Sequence, residues 1–213
     1  MTSAFFYGTL MHPDVLKWVL DNDASHLKIC PSILLDYTRH KVKHADVPAI
    51  LPCERSKALM GREFRSEENS VRGTLVSGLT AEDIALLDAF EGEYYLRLQV
   101  IVHPLGPFVP VPVVTTTSGA VTDSLIPADP PPLLPASELA QSVPADTYVW
   151  CLDDSDLDKE LWPFGEFVRK NAWKQIVHVE DPQNHDTRIW ERSSTQYIVG
   201  WTPEKNWGYM DWF

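Results

Sequence analysis

Residues 78–102 read GLTAEDIALLDAFEGEYYLRLQVIV, a pattern that predicts a capped helix, a glycine stop and then a strand. Thr80 is a preferred N-cap residue, and Asp83 three positions later completes a capping-box pattern. Gly92 supplies the left-handed conformation that commonly ends a helix. Residues 94–102 are of types suited to a strand. The chain is therefore expected to change from helix to strand at Gly92.

Glu91, near the end of this helix, is the candidate for chemistry. At about 100° per residue, one arc of the helix carries Leu86, Phe90, Leu87, Glu91 and Ile84 in that order. A carboxylate among apolar side chains is desolvated, and this one also lies at the negative end of the helix dipole, so both effects should raise its pKa. These properties fit a general acid/base. The same spacing also allows Glu91 to face solvent or to pair with Arg97.

Length and charge restrict the class of protein. The chain has 213 residues, which suits a single domain over residues 1–213. Its formal net charge of -12 argues against nucleic acid or an anionic membrane surface as a partner. There is no basic leader and no apolar run of roughly 20 residues, so we expect a cytoplasmic protein.

The cysteines and histidines suggest neither a disulfide framework nor a metal site. Cys30, Cys53 and Cys151 are odd in number and widely spaced, as in proteins with reduced thiols. Cys151 lies in a predicted strand and is expected in the core rather than as a nucleophile. His40 and His44 are four apart without a third ligand nearby. We therefore expect no metal and no organic cofactor.

The start of the chain predicts a strand, a glycine turn and a helix. Residues 4–7 form a short aromatic strand, Gly8, Thr9 and Leu10 form a turn, and Pro13 suits the first turn of a helix. Such a turn leaves backbone N–H groups unpaired, and these can bind a carboxylate, a phosphate or an oxyanion. The same pattern is also common in turns that bind nothing.

The remaining segments predict several strands and few helices. Strand patterns occupy residues 27–44, 71–77 and 146–152. Prolines flank residues 47–52, which suit an edge strand or an extended loop. Residues 57–69 are expected to form an exposed connection, and residues 159–173 a helix. This order fits an α+β barrel-like sheet better than a doubly wound parallel sheet.

Two segments stand apart from this pattern. A proline-rich insertion over about residues 104–144 is expected to contribute little to the core, because proline cannot join central sheet ladders. An aromatic C-terminal extension over about residues 176–213 is expected to pack on the body of the protein, because surplus exposed tryptophan is costly. Its tryptophans are Trp190, Trp201, Trp207 and Trp212.

Four short motifs follow one another along the chain. They are FFYGTL at residues 5–10, VPAI at 47–50, LTAEDIALLDAFEGEYYLR at 79–97 and DTYVW at 146–150. In this order and spacing they resemble the F-x-Y-G-T-L, Y-P-A, L-D-x-F-E-G with Y-x-R, and A-x-x-Y-V-W motifs of the gamma-glutamylcyclotransferase-like family, in its gamma-glutamylamine cyclotransferase branch. Valine stands where the family has the tyrosine of Y-P-A. The resemblance covers roughly residues 4–103 and 145–173.

The resemblance implies a fold and an activity. The family fold is a small mixed β-barrel with a few flanking helices and the ligand in a cavity. Family members are lyase- or acyltransferase-type enzymes that release 5-oxoproline from gamma-glutamyl amines or peptides. The free α-amine attacks the γ-carbonyl of the same molecule, and the former amide nitrogen leaves.

The resemblance also implies roles for particular residues. Glu91 would take the proton from the attacking amine and pass it to the leaving nitrogen. The substrate carboxylate would be held by the backbone of Tyr7, Gly8, Thr9 and Leu10, and the supporting residues would be Tyr95, Arg97 and Tyr148. The expected partner is a small-molecule substrate, and the sequence leaves the oligomeric state open.

Two other functions remain open, because a fold does not fix a substrate. A related cyclase, isomerase or lyase could use Glu91 on an apolar, non-peptide metabolite. It would have a pocket of aromatic and aliphatic groups without a cation or amide for an amino-acid head group. A non-catalytic binding module would instead pair Glu91 with Arg97, and its ligand binding would survive loss of the carboxylate.

Overall fold

The computed structural model of the chain describes residues 2–43, 45, 47–65, 68–111, 126, 129 and 131–170. The aromatic extension expected over about residues 176–213 and the middle of the proline-rich insertion lie outside these ranges.

The described elements alternate between strands and short helices. In chain order they are β1 (Thr2–Phe6), α1 (Pro13–Leu20), β2 (Lys28–Leu35), β3 (Tyr37–Val42), β4 (Pro48–Pro52), α2 (Cys53–Met60), β5 (Ser70–Leu79), α3 (Ala81–Glu91), β6 (Tyr95–Pro104), β7 (Val109–Pro110), β8 (Val143–Trp150), β9 (Leu157–Leu161) and α4 (Phe164–Lys170). Single 3-10 turns occupy Thr9–Met11, Gly92–Tyr94, Ala136–Glu138 and Asp154–Asp156. None of the helices in the described ranges is long and apolar enough to cross a membrane.

Five strands close into a barrel. Their order is β5–β1–β8–β6–β2, and β2 pairs back onto β5. Strands β1 and β8 run parallel, whereas the other neighbours in the barrel run antiparallel. Strand β7 adds a short pairing to β2. This mixed barrel with few helices confirms the α+β barrel-like fold expected from the order of elements.

A second, three-stranded sheet lies in the order β4–β3–β9. Strand β4 occupies an edge of this sheet, as its flanking prolines predict, because proline has no N–H to donate to a neighbouring strand.

The core is divided between the inside of the barrel and the layer under the helices. Phe5 packs with Leu75 and Val102 inside the barrel, whereas the next residue, Phe6, packs with Leu16 of α1 and other side chains under the helices. Successive strand residues point to opposite faces, which is why two adjacent phenylalanines serve two cores. This alternation places the end of β1 between the barrel and α1.

Helix α3 begins and ends as the sequence predicts. The Thr80 hydroxyl accepts a hydrogen bond from the Asp83 backbone N–H at 3.1 Å, and the Asp83 carboxylate accepts one from the Thr80 N–H at 2.8 Å. Gly92 follows the helix with a φ of 63°, a conformation that favours glycine. Asp83 also accepts hydrogen bonds from Asn22 and His26, so the capping residue joins α3 to the segment after α1.

Two predictions about local structure are wrong. The first four residues of the connection expected at 57–69 are helical, because α2 continues to Met60 before Gly61 caps it. The helix expected at 159–173 begins only at Phe164, since residues 157–161 form β9. Strand β9 pairs with β3, a long-range contact that overrides the local helical pattern.

Candidate functional site

A cavity lies where the ends of β1 and β8 meet the end of α3 and the start of β6. Its volume is about 80 Å³, enough for several water molecules or a small polar group. The structure brings together in its lining the predicted residues Tyr7, Gly8, Thr9, Leu10, Glu91, Tyr95 and Tyr148. Of the described residues that line it, Glu91 is the one with a charged side chain, and most of the others are aromatic or aliphatic.

The turn after β1 forms one wall. The backbone N–H groups of Met11 and His12 donate to the carbonyls of Gly8 and Thr9 at 3.0 and 3.1 Å. That pattern is a 3-10 turn, whose first N–H groups have no acceptor within the turn. The turn therefore lies at the cavity, and its role as an anion cradle stays a prediction.

Gly8 is needed for close packing rather than for an unusual backbone angle. Its φ is -127°, which is ordinary for any residue. A Cβ atom at Gly8 would lie only 2.8 Å from Cγ of Pro48, which also lines the cavity. A side chain at this position would therefore push the two walls of the cavity apart.

Glu91 ends α3 at the cavity, among aromatic neighbours. Burial raises the pKa of its carboxyl from 4.5 to about 8. This is the direction that its place on the apolar arc of the helix predicts. Near neutral pH the group can therefore hold a proton or release one, as a general acid/base must.

Three phenols stand around this carboxyl, each with a defined hydrogen-bond acceptor. Tyr7 donates to the Tyr148 carbonyl at 2.6 Å, and Tyr95 donates to the Pro48 carbonyl at 3.2 Å. The Tyr148 hydroxyl donates to Oδ1 of Asp88 at 2.9 Å. Burial is the main cause that raises the pKa of all three phenols above their usual range, so they stay protonated.

Arg97, predicted as a supporting residue, lies outside the lining of the cavity. Its guanidinium pairs with Asp88 and Asp146 at 2.8 Å each. The pairing between Glu91 and Arg97 that the binding-module hypothesis required is therefore not what the structure shows. Arg97 reaches the site only through Asp88 and the Tyr148 hydroxyl.

His40 and Cys151, which were weighed in the sequence, lie outside the cavity lining. His40 is buried, its Nδ1 lies 3.0 Å from the Asp158 carbonyl, and burial lowers its pKa. His44 lies outside the described residues, and within the described ranges no three His, Cys, Asp or Glu side chains are placed to hold a metal ion. Cys151 is exposed just after β8, so the prediction that it belongs to the core is wrong.

The sequence did not identify every wall of the cavity. Phe90, Tyr94 and Pro48 line it without having been predicted there. Phe90 and Tyr94 flank Glu91 in the chain, so aromatic neighbours of the carboxylate were an available signal. Pro48 comes from a distant strand, and no local pattern indicates its position.

Comparison with known proteins shows similar chains in plants. AIG2-like protein A of Arabidopsis thaliana is 30% identical over 98 residues, which is 46% of this chain and 50% of that protein. AIG2-like protein D of the same organism is 29% identical over 181 residues, or 84% of this chain and 83% of that protein. A solution structure of another Arabidopsis thaliana protein is 23% identical, covers 83% of this chain and 86% of its own, and superposes with a TM-score of 0.48.

A family model matches the part of the chain that supplies most of the cavity lining. The model described as "Gamma-glutamyl cyclotransferase, AIG2-like" matches residues 4–113. These residues make up just over half of the chain and include both Glu91 and the turn after β1. The chain belongs to the AIG2-like gamma-glutamyl cyclotransferase family.

Proposed function

We propose that the protein releases 5-oxoproline from a gamma-glutamyl amine or peptide. The α-amine of the substrate attacks the γ-carbonyl carbon of the same molecule, a C–N bond forms, and the bond to the amide nitrogen breaks. Family membership supports this class of reaction. The observation that carries the proposal is Glu91, a carboxyl with a pKa of about 8 at the wall of a cavity.

Glu91 moves the proton that this reaction requires. The ionised carboxylate takes a proton from the attacking amine, and the resulting acid delivers it to the departing nitrogen, so the enzyme returns to its starting state. A group that acts as both base and acid works best with a pKa near the operating pH. Because the nucleophile and the carbonyl belong to one molecule, the remaining task of the protein is to orient them.

The turn from Tyr7 to Leu10 holds the α-carboxylate of the substrate. Its first backbone N–H groups are donors without an acceptor in the turn, and charge-assisted bonds to a carboxylate are stronger than neutral ones. The turn and Glu91 line the same small cavity, so one binds the α-carboxylate while the other acts on the α-amine.

The test is incubation of the purified protein with gamma-glutamyl amines and gamma-glutamyl peptides, with 5-oxoproline followed by mass spectrometry. Matched substrates with an acetylated α-amine serve as the control, because an amide nitrogen is a poor nucleophile. We expect 5-oxoproline from at least one free amine and none from the acetylated partners. Absence of 5-oxoproline from both the gamma-glutamyl amines and the gamma-glutamyl peptides with a free α-amine would contradict the proposal.

A second function is favoured by the composition of the cavity wall. The described lining residues include no lysine, arginine, asparagine or glutamine, as expected of an enzyme for an apolar metabolite. In that case Glu91 would act as the acid/base of a cyclase, isomerase or lyase. Thermal-shift measurements separate the two functions, because a gamma-glutamyl amine should stabilise the proposed cyclotransferase more than the same amine without its glutamyl group.

A further inference from the structure

We infer that Asp88 is a positioning residue, which turns the Tyr148 hydroxyl so that its oxygen and not its hydrogen faces the cavity. Oδ1 of Asp88 accepts the Tyr148 hydroxyl at 2.9 Å. A phenol has a single hydrogen, so a hydroxyl that donates to Asp88 offers only lone pairs to the cavity. The effect on turnover rests on the proposed function, whereas the position of the hydrogen does not.

Arg97 fixes the acceptor in place. Its Nε donates to the same Oδ1 of Asp88 at 2.8 Å, and its Nη1 donates to Asp146 of β8 at 2.8 Å. A guanidinium shared between two carboxylates has restricted geometry, because its planar donors are fixed relative to one another. Asp88 is therefore held from one side by Arg97 while it receives the Tyr148 hydroxyl from another.

The other phenols near Glu91 show the same orientation. The titratable side chains that line the cavity with Glu91 are Tyr7, Tyr94, Tyr95 and Tyr148. Tyr7 and Tyr95 donate to backbone carbonyls, at 2.6 and 3.2 Å, so their hydrogens are also directed to protein acceptors. The single hydrogen of each of these three phenols is therefore directed to a protein acceptor, so none of them is available to donate to Glu91.

Loss of the Asp88 acceptor would allow the Tyr148 hydroxyl to rotate and to point its hydrogen in another direction. The freed hydrogen could then turn toward the Glu91 carboxylate, and a hydrogen bond to the charged form lowers the pKa of a carboxyl. We expect a fall of about one pH unit in the midpoint of Glu91 titration, the size of one charge-assisted hydrogen bond. The amine would also lose an acceptor, so KM should rise more than kcat falls.

Removing Asp88 also removes a negative charge, and a set of variants separates the two effects. Asp88→Asn removes the charge but keeps an Oδ1 acceptor for both donors, whereas Asp88→Ala removes both. Asp88→Ala combined with Tyr148→Phe removes the freed hydroxyl as well. Asp146→Asn perturbs the far end of Arg97 and leaves the bond between Asp88 and Tyr148 in place.

The experiment is a carbon-13 NMR titration of the Glu91 carboxyl in the full chain, repeated as a pH profile of 5-oxoproline release. We expect a lower midpoint in Asp88→Ala than in Asp88→Asn, and a return to the Asp88→Asn midpoint in the double variant. Asp146→Asn should titrate as the unmodified protein does. Equal midpoints in Asp88→Ala and Asp88→Asn, or a shift that persists in the double variant, would overturn the inference.

The titration needs no turnover, so it distinguishes this inference from the proposed reaction. If no gamma-glutamyl substrate yields 5-oxoproline, the reaction is wrong, and the NMR midpoints still decide the role of Asp88. If product forms but the midpoints do not differ, Asp88 has only a structural role.

Discussion

Asp88 and Glu91 lie three residues apart on α3, and their carboxyl groups have opposite surroundings. Asp88 accepts hydrogen bonds from Arg97 and Tyr148 at 2.8 and 2.9 Å and is 42% exposed. Glu91 lines a cavity with aromatic walls, and burial raises its pKa to about 8. Such a difference in environment fits the different roles that we propose for the two carboxyls: a fixed acceptor for Asp88 and a proton carrier for Glu91.

The pH dependence of the rate should report Glu91. Because the attacking amine needs the ionised carboxylate as its base, kcat/KM should rise about tenfold per pH unit up to about pH 8 and then level off. Substrate amines ionise as well, so the profile is measured with several substrates whose α-amines differ in pKa. A limb that stays at the same pH for all of them belongs to the enzyme. A limb that moves with the substrate would exclude Glu91 as its origin.

The stability of the fold should also depend on Glu91. The folded pKa of about 8 lies above the unfolded value of 4.5, so the folded state binds more protons between these limits. The stability contribution of the protonated group is fully present below pH 4.5 and is lost as pH rises through 8. At 1.36 kcal/mol per unit of pKa shift, the free energy of unfolding should fall by about 3–5 kcal/mol. Urea unfolding from pH 5 to 9 should show this fall in the unmodified protein and a much smaller one in Glu91→Gln.

The cap of α3 should be a separate source of stability. Thr80→Ala removes a hydroxyl that accepts the Asp83 N–H, at a cost of about 1 kcal/mol. Asp83→Ala should cost more, because that carboxylate also accepts hydrogen bonds from Asn22 and His26. The control is Glu82→Ala, an exposed residue in the same turn. The prediction is wrong if Asp83→Ala unfolds at the same urea concentration as Glu82→Ala.

Short-range chemistry explains what the sequence could predict. The capping box and Gly92 act within a few residues, so both ends of α3 and the position of Glu91 follow from the sequence of that segment alone. The helix after β1 is similar, because Pro13 fixes the backbone at its first position. The positions of Glu91 and of the turn after β1 were therefore predictable from local sequence.

Long-range pairing explains what the sequence could not predict. Residues 157–161 become strand β9 because β3 offers them a partner, although their local pattern suits a helix. Arg97 follows the same rule: its two carboxylate partners come from α3 and β8, and only the closed barrel brings them together. Local spacing favoured Glu91 as its partner equally well, and the fold decided otherwise.

Gly8 should be required for ligand binding. A Cβ there meets Cγ of Pro48 at 2.8 Å, so Gly8→Val should separate the walls of the cavity and abolish binding of a gamma-glutamyl amine. The protein should remain folded, because the cavity is only one edge of the core. A matched control is Gly106→Val, since a Cβ at Gly106 has its nearest neighbour at 3.8 Å, an ordinary contact. Calorimetric affinity and circular dichroism of both variants decide the matter, and normal affinity in Gly8→Val would contradict the role of this turn.

The catalytic assignment itself depends on a comparison of two neighbouring glutamates. Glu91 lines the cavity, whereas Glu93, beyond the Gly92 stop, is exposed. Glu91→Gln keeps the shape of the side chain but cannot accept or deliver a proton, and loss of a general acid/base lowers the rate by about 10²–10⁴-fold, roughly 3–5 kcal/mol of barrier. Glu93→Gln makes the same chemical change in solvent and should leave the rate within about twofold of the unmodified protein.

Binding measurements complete this comparison. Glu91→Gln should still bind a gamma-glutamyl amine, because the carboxylate cradle after β1 is unchanged, and it should fold at least as well near pH 8, where an ionised carboxylate in an apolar wall is destabilising. Slow turnover with retained binding is therefore the expected signature of a lost proton carrier. If Glu91→Gln instead turns over within a few-fold of the unmodified protein, another group moves the proton, and the reaction must be assigned to different residues of the cavity.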